Sequence, residues 1–263
     1  MYSFELHKAD SVANAAALLA QSGGKALAGG QSLVAAMKMR LAQPNALVDL
    51  SGIAELKGIR KEGDNLVIGA MTRHAEVAAS KTVKDAIPAL AALAEGIGDR
   101  QVRNMGTIGG SLANNDPAAC YPAAVLALGA TIHTNKRKIA ADDFFKGMYE
   151  TALADAELIT SVSFPIPKKA AYMKFVQPAS RFALVGVFVA QGAGGVRVAV
   201  TGAAPSVFRA KPLEDALAKN FSADAAKAVK IDAAGLNSDL HGSPAYRAHL
   251  ISVMASRAVA AAG

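Results

Sequence analysis

The segment Ala28-Gly29-Gly30-Gln31-Ser32 (28–32) sets the interpretation of the first part of this chain. It closes a short apolar stretch, KALAGG at 25–30, that predicts a strand, and it opens a run from about Ser32 to Leu41 that predicts a helix. Glycines between a strand and a helix allow positive φ and let backbone N–H groups approach an anion without a Cβ in the way. The segment therefore indicates a phosphate-binding turn, to which the start of the helix would add a positive dipole end.

A second segment repeats this composition. Thr107-Ile108-Gly109-Gly110-Ser111 lies in a predicted glycine-rich loop at 106–110, and Leu112, Ala113 and Asn114 follow it. Gly-Gly pairs are common in ordinary turns, so either segment alone is compatible with a purely structural turn. Two such segments could hold the two phosphates of one dinucleotide from opposite sides. Taken from spacing alone, the pair indicates a phosphate ligand.

Composition limits the classes of function. The 263 residues are 52% hydrophobic and 19% charged, which is typical of a globular protein large enough for one large domain or two to three small ones. The formal charge is +7, but the Lys and Arg residues are scattered. The densest run, Lys136-Arg137-Lys138, predicts a hairpin turn or strand edge, so no nucleic-acid partner is expected.

The residues that carry most enzyme chemistry are sparse. The single cysteine, Cys120, excludes an intrachain disulfide and a cysteine-ligated zinc or iron–sulfur site. The five histidines are far apart, and GxSxG, GxxxxGK[ST] and GxGxxG motifs are missing. We therefore expect no metal site and assign no catalytic residue. The N-terminus lacks a signal-peptide pattern and no apolar run approaches ~20 residues, so a cytoplasmic protein without a transmembrane segment is expected.

The predicted elements fall into three regions, divided near residues 53 and 165. Residues 1–53 predict a compact αβ unit. Residues 54–165 predict a hairpin turned at 62–65, then helices and further strands. Residues 166–263 begin with three alternating segments that predict antiparallel strands, and they continue as helices. We interpret the regions as subdomains of one compact molecule.

Longer stretches around the two glycine segments resemble a known family. They are AGGQSL at 28–33 with the sequence up to residue 59, RNMGTIGGSLANNDPAA at 103–119, ELITSVSFP at 157–165, and KFVQPASRFALVGV at 174–187. These stretches, in this order, resemble the FAD-binding medium subunits of molybdenum hydroxylases, the carbon monoxide and xanthine dehydrogenase type. The resemblance covers roughly residues 2 to 210.

The resemblance implies an α+β fold of the PCMH type. Its parts would be an N-terminal FAD-binding αβ subdomain (1–53), a middle α+β FAD-binding subdomain (54–165), and a C-terminal domain (166–263) with a three-stranded antiparallel sheet and helices. It also implies cofactor contacts in three groups. The first is the pyrophosphate turn with its flanks: Lys25, Ala28, Gly29, Gly30, Gln31, Ser32 and Leu33. The second is the opposite segment: Thr107, Ile108, Gly109, Gly110, Ser111 and Asn114. The third lines the flavin or adenosine: Ile97, Ile159 and Lys174.

The resemblance further implies partners. In such complexes FAD takes electrons from iron–sulfur clusters on a small subunit, a large subunit holds the molybdenum cofactor, and the flavin passes the electrons to a terminal acceptor. Two alternatives stay open: a stand-alone flavin oxidoreductase acting on an organic substrate, and a scaffold that has lost FAD.

Three positions depart from the family pattern, with Ser111 in place of Asn, Cys120 in place of Asp, and Phe182 in place of Tyr. The substrate of the large subunit and the terminal acceptor are not encoded in these motifs.

Overall fold

The first region is a small parallel sheet with two helices. The computed structural model describes residues 1–262, and its first elements are β1 (Glu5–Lys8), α1 (Val12–Ser22), β2 (Lys25–Leu27), α2 (Leu33–Lys38) and β3 (Ala46–Asp49). The strands pair in parallel in the order β1-β3-β2. The Ser11 hydroxyl accepts the Asn14 amide at the start of α1, and Gly23 ends the helix in the left-handed conformation with φ 59°. The predicted αβ pattern of this region is confirmed.

The middle region is built on a five-stranded sheet of order β4-β5-β10-β6-β7. Its strands are β4 (Ile59–Glu62), β5 (Asn65–Gly69), β6 (Thr131–Thr134), β7 (Lys138–Ala140) and β10 (Ile159–Pro165). A separate two-stranded hairpin consists of β8 (Phe145–Gly147) and β9 (Glu150–Thr151). The turn 135–137 joins β6 to β7, so the predicted hairpin at the Lys-Arg-Lys run is confirmed.

Helices cover this sheet and supply most of its core. They are α3 (His74–Ala79), α4 (Lys81–Ala86), α5 (Pro88–Glu95), α6 (Arg100–Met105), α7 (Ile108–Asn114), α8 (Tyr121–Ala127) and α9 (Ala141–Phe144). Every residue of α8 is buried, because the helix lies between the middle sheet's core and the C-terminal sheet. A helix that is apolar on all sides is expected in such a position.

The C-terminal region is a four-stranded antiparallel sheet covered by helices. Its elements are β11 (Lys169–Val176), β12 (Ala183–Gly192), β13 (Gly195–Thr201), β14 (Phe208–Arg209), α10 (Lys211–Lys219), α11 (Ala223–Ala228) and α12 (Pro244–Ala261). Helix α12 packs on β11 and β12 while α8 approaches β12 from the middle region. This two-sided packing explains why residues 183–190 of β12 form an unbroken apolar run, all buried.

The α+β fold class is confirmed, and four details differ from the sequence predictions. The C-terminal sheet has a fourth strand, β14, because the chain after Pro205 pairs with β13 before it turns helical. In the middle region the sequence predicts helices at 74–80 and 87–97 but not α4 or α6, which have six residues each and begin where the Ser80 and Asp99 side chains cap them. Helix α2 ends at Lys38, since Arg40 takes a positive φ of 60°.

The fourth difference concerns the second glycine segment. Gly109 and Gly110 were predicted to lie in a loop, but they form the first turn of α7. The Thr107 hydroxyl caps this helix by accepting the Gly110 amide at 3.2 Å. No helix within residues 1–262 is long and apolar enough to cross a membrane.

Candidate functional site

The fold brings the two glycine segments into direct contact. A Cβ on Gly29 would overlap the carbonyl oxygen of Met105 and lie 2.7 Å from the Cα of Gly106. A Cβ on Gly110 would lie 3.3 Å from the Cβ of Ala28. Both approaches are closer than most side chains tolerate, so glycine at these positions allows the turn after β2 to sit against the start of α7.

The first segment offers unused hydrogen-bond donors. Among the residues that the structure describes, none accepts a hydrogen bond from the backbone amides of 29–33. Gly30 has a positive φ of 70°, and Ser32 precedes α2 without a side-chain cap. Consecutive amides around a left-handed residue form a concave nest that suits an anion. Helix α2 has only six residues, so the loop amides, rather than a long helix dipole, are the main donors here.

The second segment differs, because its amides are engaged within the protein. The Ile108 amide donates to Thr72 O at 3.1 Å, and the Gly109 amide donates to Ala70 O at 2.8 Å. The Gly110 amide donates to the Thr107 hydroxyl at 3.2 Å. A Cβ on Gly109 would lie 2.6 Å from the Cβ of Ala70, so this glycine lets α7 pack against the end of β5. Residues 107–110 therefore form a fixed surface against which the first segment packs, and this surface is called the glycine wall below.

A buried histidine, His74, packs against Gly106, the residue that precedes the glycine wall. His74 is 5% exposed; its amide donates to Gly106 O at 2.9 Å, and a Cβ on Gly106 would lie 2.6 Å from its Nε2. Burial, and secondly the nearby Arg103 guanidinium, lower the pKa of His74 from 6.5 to about 4. The imidazole is therefore neutral at physiological pH, and its Nδ1 has no partner among the described residues.

Lys174 joins three separate segments through one ammonium group. Its Nζ donates to Gly96 O at 2.6 Å and to Arg181 O at 2.9 Å, and lies 3.6 Å from Cys120 Sγ. An ammonium has three donors, so all of them are engaged. The Lys174 side chain thus ties the end of α5 and the start of α8 to the loop between β11 and β12.

Ile97 lies close to this junction. It follows Gly96 in the chain, and its carbonyl oxygen accepts from Arg103 Nη1 at 3.0 Å. The Arg103 guanidinium also donates to Gly98 O at 3.1 Å, which fixes the loop between α5 and α6. The structure therefore connects Ile97 both to Lys174 and to the helix that leads into the second glycine segment.

The other predicted contacts occupy different surroundings. Ile159 is buried at the start of β10. The carbonyl oxygen of the next residue, Thr160, accepts a hydrogen bond from the Ala70 amide, and the Ala70 carbonyl oxygen accepts one from the Gly109 amide. Lys25 begins β2, exposed, at the end of the strand away from the glycine turn. Ser111 and Asn114 lie half-buried on α7, and Leu33 begins α2. The Gln31 side chain donates to Gly29 O at 3.3 Å.

Two of the three departures from the family pattern lie near Lys174. Cys120 is buried just before α8, with its thiol facing the Lys174 ammonium, where an Asp would instead form an ion pair. Phe182 follows Arg181 in the loop held by Lys174, and its ring meets His241 edge to face at 5.6 Å. The third, Ser111, donates its amide to Thr107 O at 3.0 Å.

Sequence reasoning missed His74, Arg103 and Asn115. The first two support the segments from behind, and a lone His or Arg in a helical stretch gives no sign of that role. Asn115, 2% exposed and in the left-handed conformation, ends α7 and donates through Nδ2 to Gly147 O and Glu150 O, both at 2.8 Å. The adjacent Asn-Asp pair after a helix was a usable signal for this cap.

The donor set fits FAD. The consecutive free amides of 29–33 suit a pyrophosphate, which accepts several hydrogen bonds at once, and no acidic side chain occupies 25–33 to repel it. Within the described residues no group of three His, Cys, Asp or Glu side chains is placed to hold a metal ion. Beside the glycine wall, the site thus offers anion-binding donors and no metal ligands.

Comparison with known proteins agrees with this chemistry. The family described as "FAD binding domain in molybdopterin dehydrogenase" matches residues 2–167. The carbon monoxide dehydrogenase medium chain of Hydrogenophaga pseudoflava is 37% identical, over 98% of this chain and 96% of the relative. The nicotine 6-hydroxylase medium subunit of Paenarthrobacter nicotinovorans is 36% identical, over 84% and 83% respectively.

Solved structures show the same relationship in three dimensions. A carbon monoxide dehydrogenase structure from Hydrogenophaga pseudoflava superimposes with a TM-score of 0.89 at 37% identity, covering 99% of this chain and 97% of that chain. Quinoline 2-oxidoreductase from Pseudomonas putida 86 gives a TM-score of 0.89 at 30% identity, with the same coverage. The chain belongs to the family of FAD-binding medium subunits of molybdenum hydroxylases. It is thus an FAD-dependent flavoprotein subunit of an oxidoreductase, similar over its whole length to medium chains of this kind.

Proposed function

We propose that this chain is the electron-transferring subunit of a three-part molybdenum hydroxylase. Its partners are a small subunit with iron–sulfur clusters and a large subunit with the molybdenum cofactor. Bound FAD would supply the redox chemistry, accepting electrons from the iron–sulfur partner and yielding them to a terminal acceptor. The residues of this chain bind and orient the cofactor, and none acts as an acid or base.

The observation that carries the proposal is the unused amide set of 29–33 against the glycine wall at 107–110. Gly29, Gly30 and Leu33 are half-buried, and half-buried amides without partners cost free energy unless a ligand or water accepts from them. In this arrangement the amides of the first segment receive the pyrophosphate, and the second segment limits its position. The amides of Ile108, Gly109 and Gly110 all donate hydrogen bonds within the protein, and these bonds keep the second segment rigid.

The remaining predicted contacts complete the proposed cofactor site. Ile97 and Ile159 would provide apolar surface for the flavin or adenosine, and Lys174 would act by fixing the segments around Gly96 and Arg181. The proposed division into subdomains at 53 and 165 is supported by the three main sheets, which are formed by residues 5–49, 59–165 and 169–209.

The cysteine content supports the need for a partner. Cysteine-ligated iron–sulfur clusters require several thiolates, and this chain has one cysteine. These residues therefore do not ligate such a cluster through cysteines alone, and the proposal assigns it to a partner. The relatives named above are themselves called medium chain and medium subunit, which supports a complex of several chains. The proposal includes a cytoplasmic location, which the lack of any disulfide-forming pair fits.

Absorption spectroscopy of the purified chain, alone and with its partners, tests this function. We expect about one FAD per chain, identified after release by chromatography, as befits one predicted site per chain. The flavin band should bleach on addition of the complex's substrate only when the partners are present. Bleaching of the lone chain by an organic substrate would instead establish a stand-alone enzyme. Absence of flavin in both preparations would establish a scaffold.

A further inference from the structure

A cleft that contains none of the predicted FAD contacts opens between four helices of the middle region. Its volume is about 350 Å³, at the lower end of the range for small-molecule sites. Helix α3 provides one side of it, and α4, α5 and α6 provide the polar side chains of the other. We call it the α3–α6 cleft, and its polar lining residues are Lys84, Glu95, Arg100, Arg103 and Asn104.

The side formed by α3 is apolar. It consists of Ala75, Ala78 and Ala79, which are three and four residues apart and therefore share one face of the helix. Alanine side chains end at Cβ, so the space next to this face is not filled by the helix itself. This side gives a ligand an apolar surface to cover.

The other side of the cleft carries more positive than negative charge. Lys84, Arg100 and Arg103 are cationic, and Glu95 is the carboxylate in the lining. Three cations against one carboxylate leave a formal excess of two positive charges. No ion pair joins any of these four side chains to another group among residues 1–262. The excess is therefore not neutralised by a direct contact.

Three further carboxylates, those of Glu76, Asp85 and Asp99, lie on or next to these helices but outside the lining. The first and the third accept backbone amides at the starts of α3 and α6, and the second pairs with Lys81 of its own helix. They weaken the positive field around the cleft. The cationic groups inside it still have no contacting anion.

Arg103 is the fixed cation of the cleft. It is half-buried, and its Nη1 donates to Ile97 O at 3.0 Å and to Gly98 O at 3.1 Å. A guanidinium has five N–H donors, so those on Nε and Nη2 remain free. Arg100 lies three residues earlier on α6 and therefore on the same face. Two neighbouring guanidinium groups, one of them held in place, suit a multiply charged oxyanion.

We propose that the α3–α6 cleft binds a small organic phosphate monoester, with the phosphate between Arg100 and Arg103 and the organic part against the alanines of α3. A phosphate monoester carries a charge of about −1.5 to −2 at pH 7, which matches the excess of positive charge, whereas a carboxylate supplies half of it. Lys84 adds a third cation, and Glu95 can accept from a hydroxyl or amino group of the ligand.

This binding site goes beyond the proposed function, since it uses no FAD contact and no partner. It is nevertheless connected to the cofactor site through Arg103, which also fixes the loop of Ile97. Helix α6 then leads to Gly106 and the glycine wall. A bound phosphate would therefore stabilise the segment that supports the predicted FAD contacts.

Isothermal titration calorimetry of the full-length chain in excess FAD tests the site. The probe is phenyl phosphate at about pH 8, where it is a dianion. Benzoate, with the same ring and a single charge, is the comparison ligand. Arg100→Ser removes an exposed cation, and Ala79→Leu fills the apolar side without a change in charge.

Each variant has a matched control away from the cleft. Arg257→Ser removes an exposed arginine of α12 that has no ion pair among residues 1–262. Ala228→Leu alters the last residue of the six-residue helix α11, as Ala79→Leu does in the six-residue helix α3, and both alanines are exposed.

We expect one phenyl phosphate per chain with a Kd below about 1 mM, and benzoate at least about fivefold weaker. Arg100→Ser and Ala79→Leu should each weaken phenyl phosphate about tenfold, and both controls should bind it like the wild type. Binding should weaken as salt increases.

Four results would overturn the inference. They are no binding to the wild type, equal affinities in Arg100→Ser and Arg257→Ser, equal affinities for benzoate and phenyl phosphate, and loss of phenyl phosphate binding as FAD is added, which would place the probe in the cofactor site. The FAD content of the same samples tests the proposed function separately. A chain that binds phenyl phosphate in this pattern without taking up FAD would refute the cofactor site and leave the cleft assignment standing.

Discussion

The two glycine segments, 28–32 and 107–111, are alike in sequence but differ in how their backbone amides are bonded in the structure. At 29–33 the backbone amides have no acceptor among residues 1–262, and Gly30 adopts a left-handed conformation. At 108–110 every amide is bonded within the protein, and Gly109 packs against Ala70. The first segment leaves its donors free, as the proposed ligand site requires, and the second packs a helix closely on a strand. A Gly-Gly pair therefore reveals its role only when the hydrogen bonds of its neighbours are known.

Among the variants that test this comparison, Gly109→Ala should have the largest effect, a decrease in the free energy of unfolding. Its Cβ in Gly109→Ala would lie 2.6 Å from the Cβ and 2.8 Å from the carbonyl oxygen of Ala70, and backbone cannot move aside easily. We expect a loss of about 3 kcal/mol in the free energy of unfolding, at the upper end of over-packing costs. Urea unfolding of the cofactor-free chain measures it.

Two glycine variants serve as controls for Gly109→Ala. Gly194→Ala, with open space around it, should leave stability within about 0.5 kcal/mol. Gly30→Ala should lose about 1 kcal/mol because of its positive φ, and should weaken FAD binding as well. If Gly109→Ala were as stable as the wild type, the packing role of the second segment would be wrong.

The next effect depends on pH and concerns His74 behind the second segment. The pKa of His74 is about 4 in the folded protein and 6.5 ordinarily, so the unfolded chain binds this proton more readily. Its contribution to stability is thus complete above pH 6.5 and declines as the pH falls towards 4. From pH 7 to pH 5 we expect a loss of about 2 kcal/mol from this group. Unfolding free energies at both pH values measure it.

His74→Leu should remove that part of the pH dependence, because leucine does not titrate. The variant His249→Leu, at an exposed position, should keep it. An identical loss between pH 7 and pH 5 in His74→Leu would show that another group is responsible.

The smallest effect separates the first segment from the second by charge. Ser32→Asp places a carboxylate next to the free amides, where it would repel a pyrophosphate. The Ser32 side chain is exposed and caps nothing, so stability should change little. We expect roughly tenfold weaker FAD binding, about 1.4 kcal/mol, measured by flavin fluorescence titration.

Ser32→Asn is the control of similar size without charge. It should bind FAD nearly as tightly as the wild type, and the defect of Ser32→Asp should diminish as salt increases. Equal affinities for both variants would mean that the pyrophosphate lies elsewhere, and the assignment of the two segments would have to be exchanged.

Much of the fold was predictable from local patterns. Helix α1, with its Ser11 cap and Gly23 end, and the hairpin of β4 and β5 follow from residues adjacent in sequence. Helices α4 and α6 were missed because six-residue helices depend on tertiary packing more than on propensity. The cofactor contacts assigned to single residues and the subdomain boundaries at 53 and 165 stay predictions.

The sequence by itself determined the class of protein, since the glycine motifs, their order and the flanking strands carry the resemblance to the flavin-binding family. It also determined that these 263 residues, with one cysteine, do not ligate an iron–sulfur cluster through cysteines alone. Only the tertiary structure decided which glycine segment has free amides and which three segments Lys174 joins. The physical reason is that hydrogen-bond acceptors and packing partners come from residues distant in the chain, and a sequence motif does not specify them.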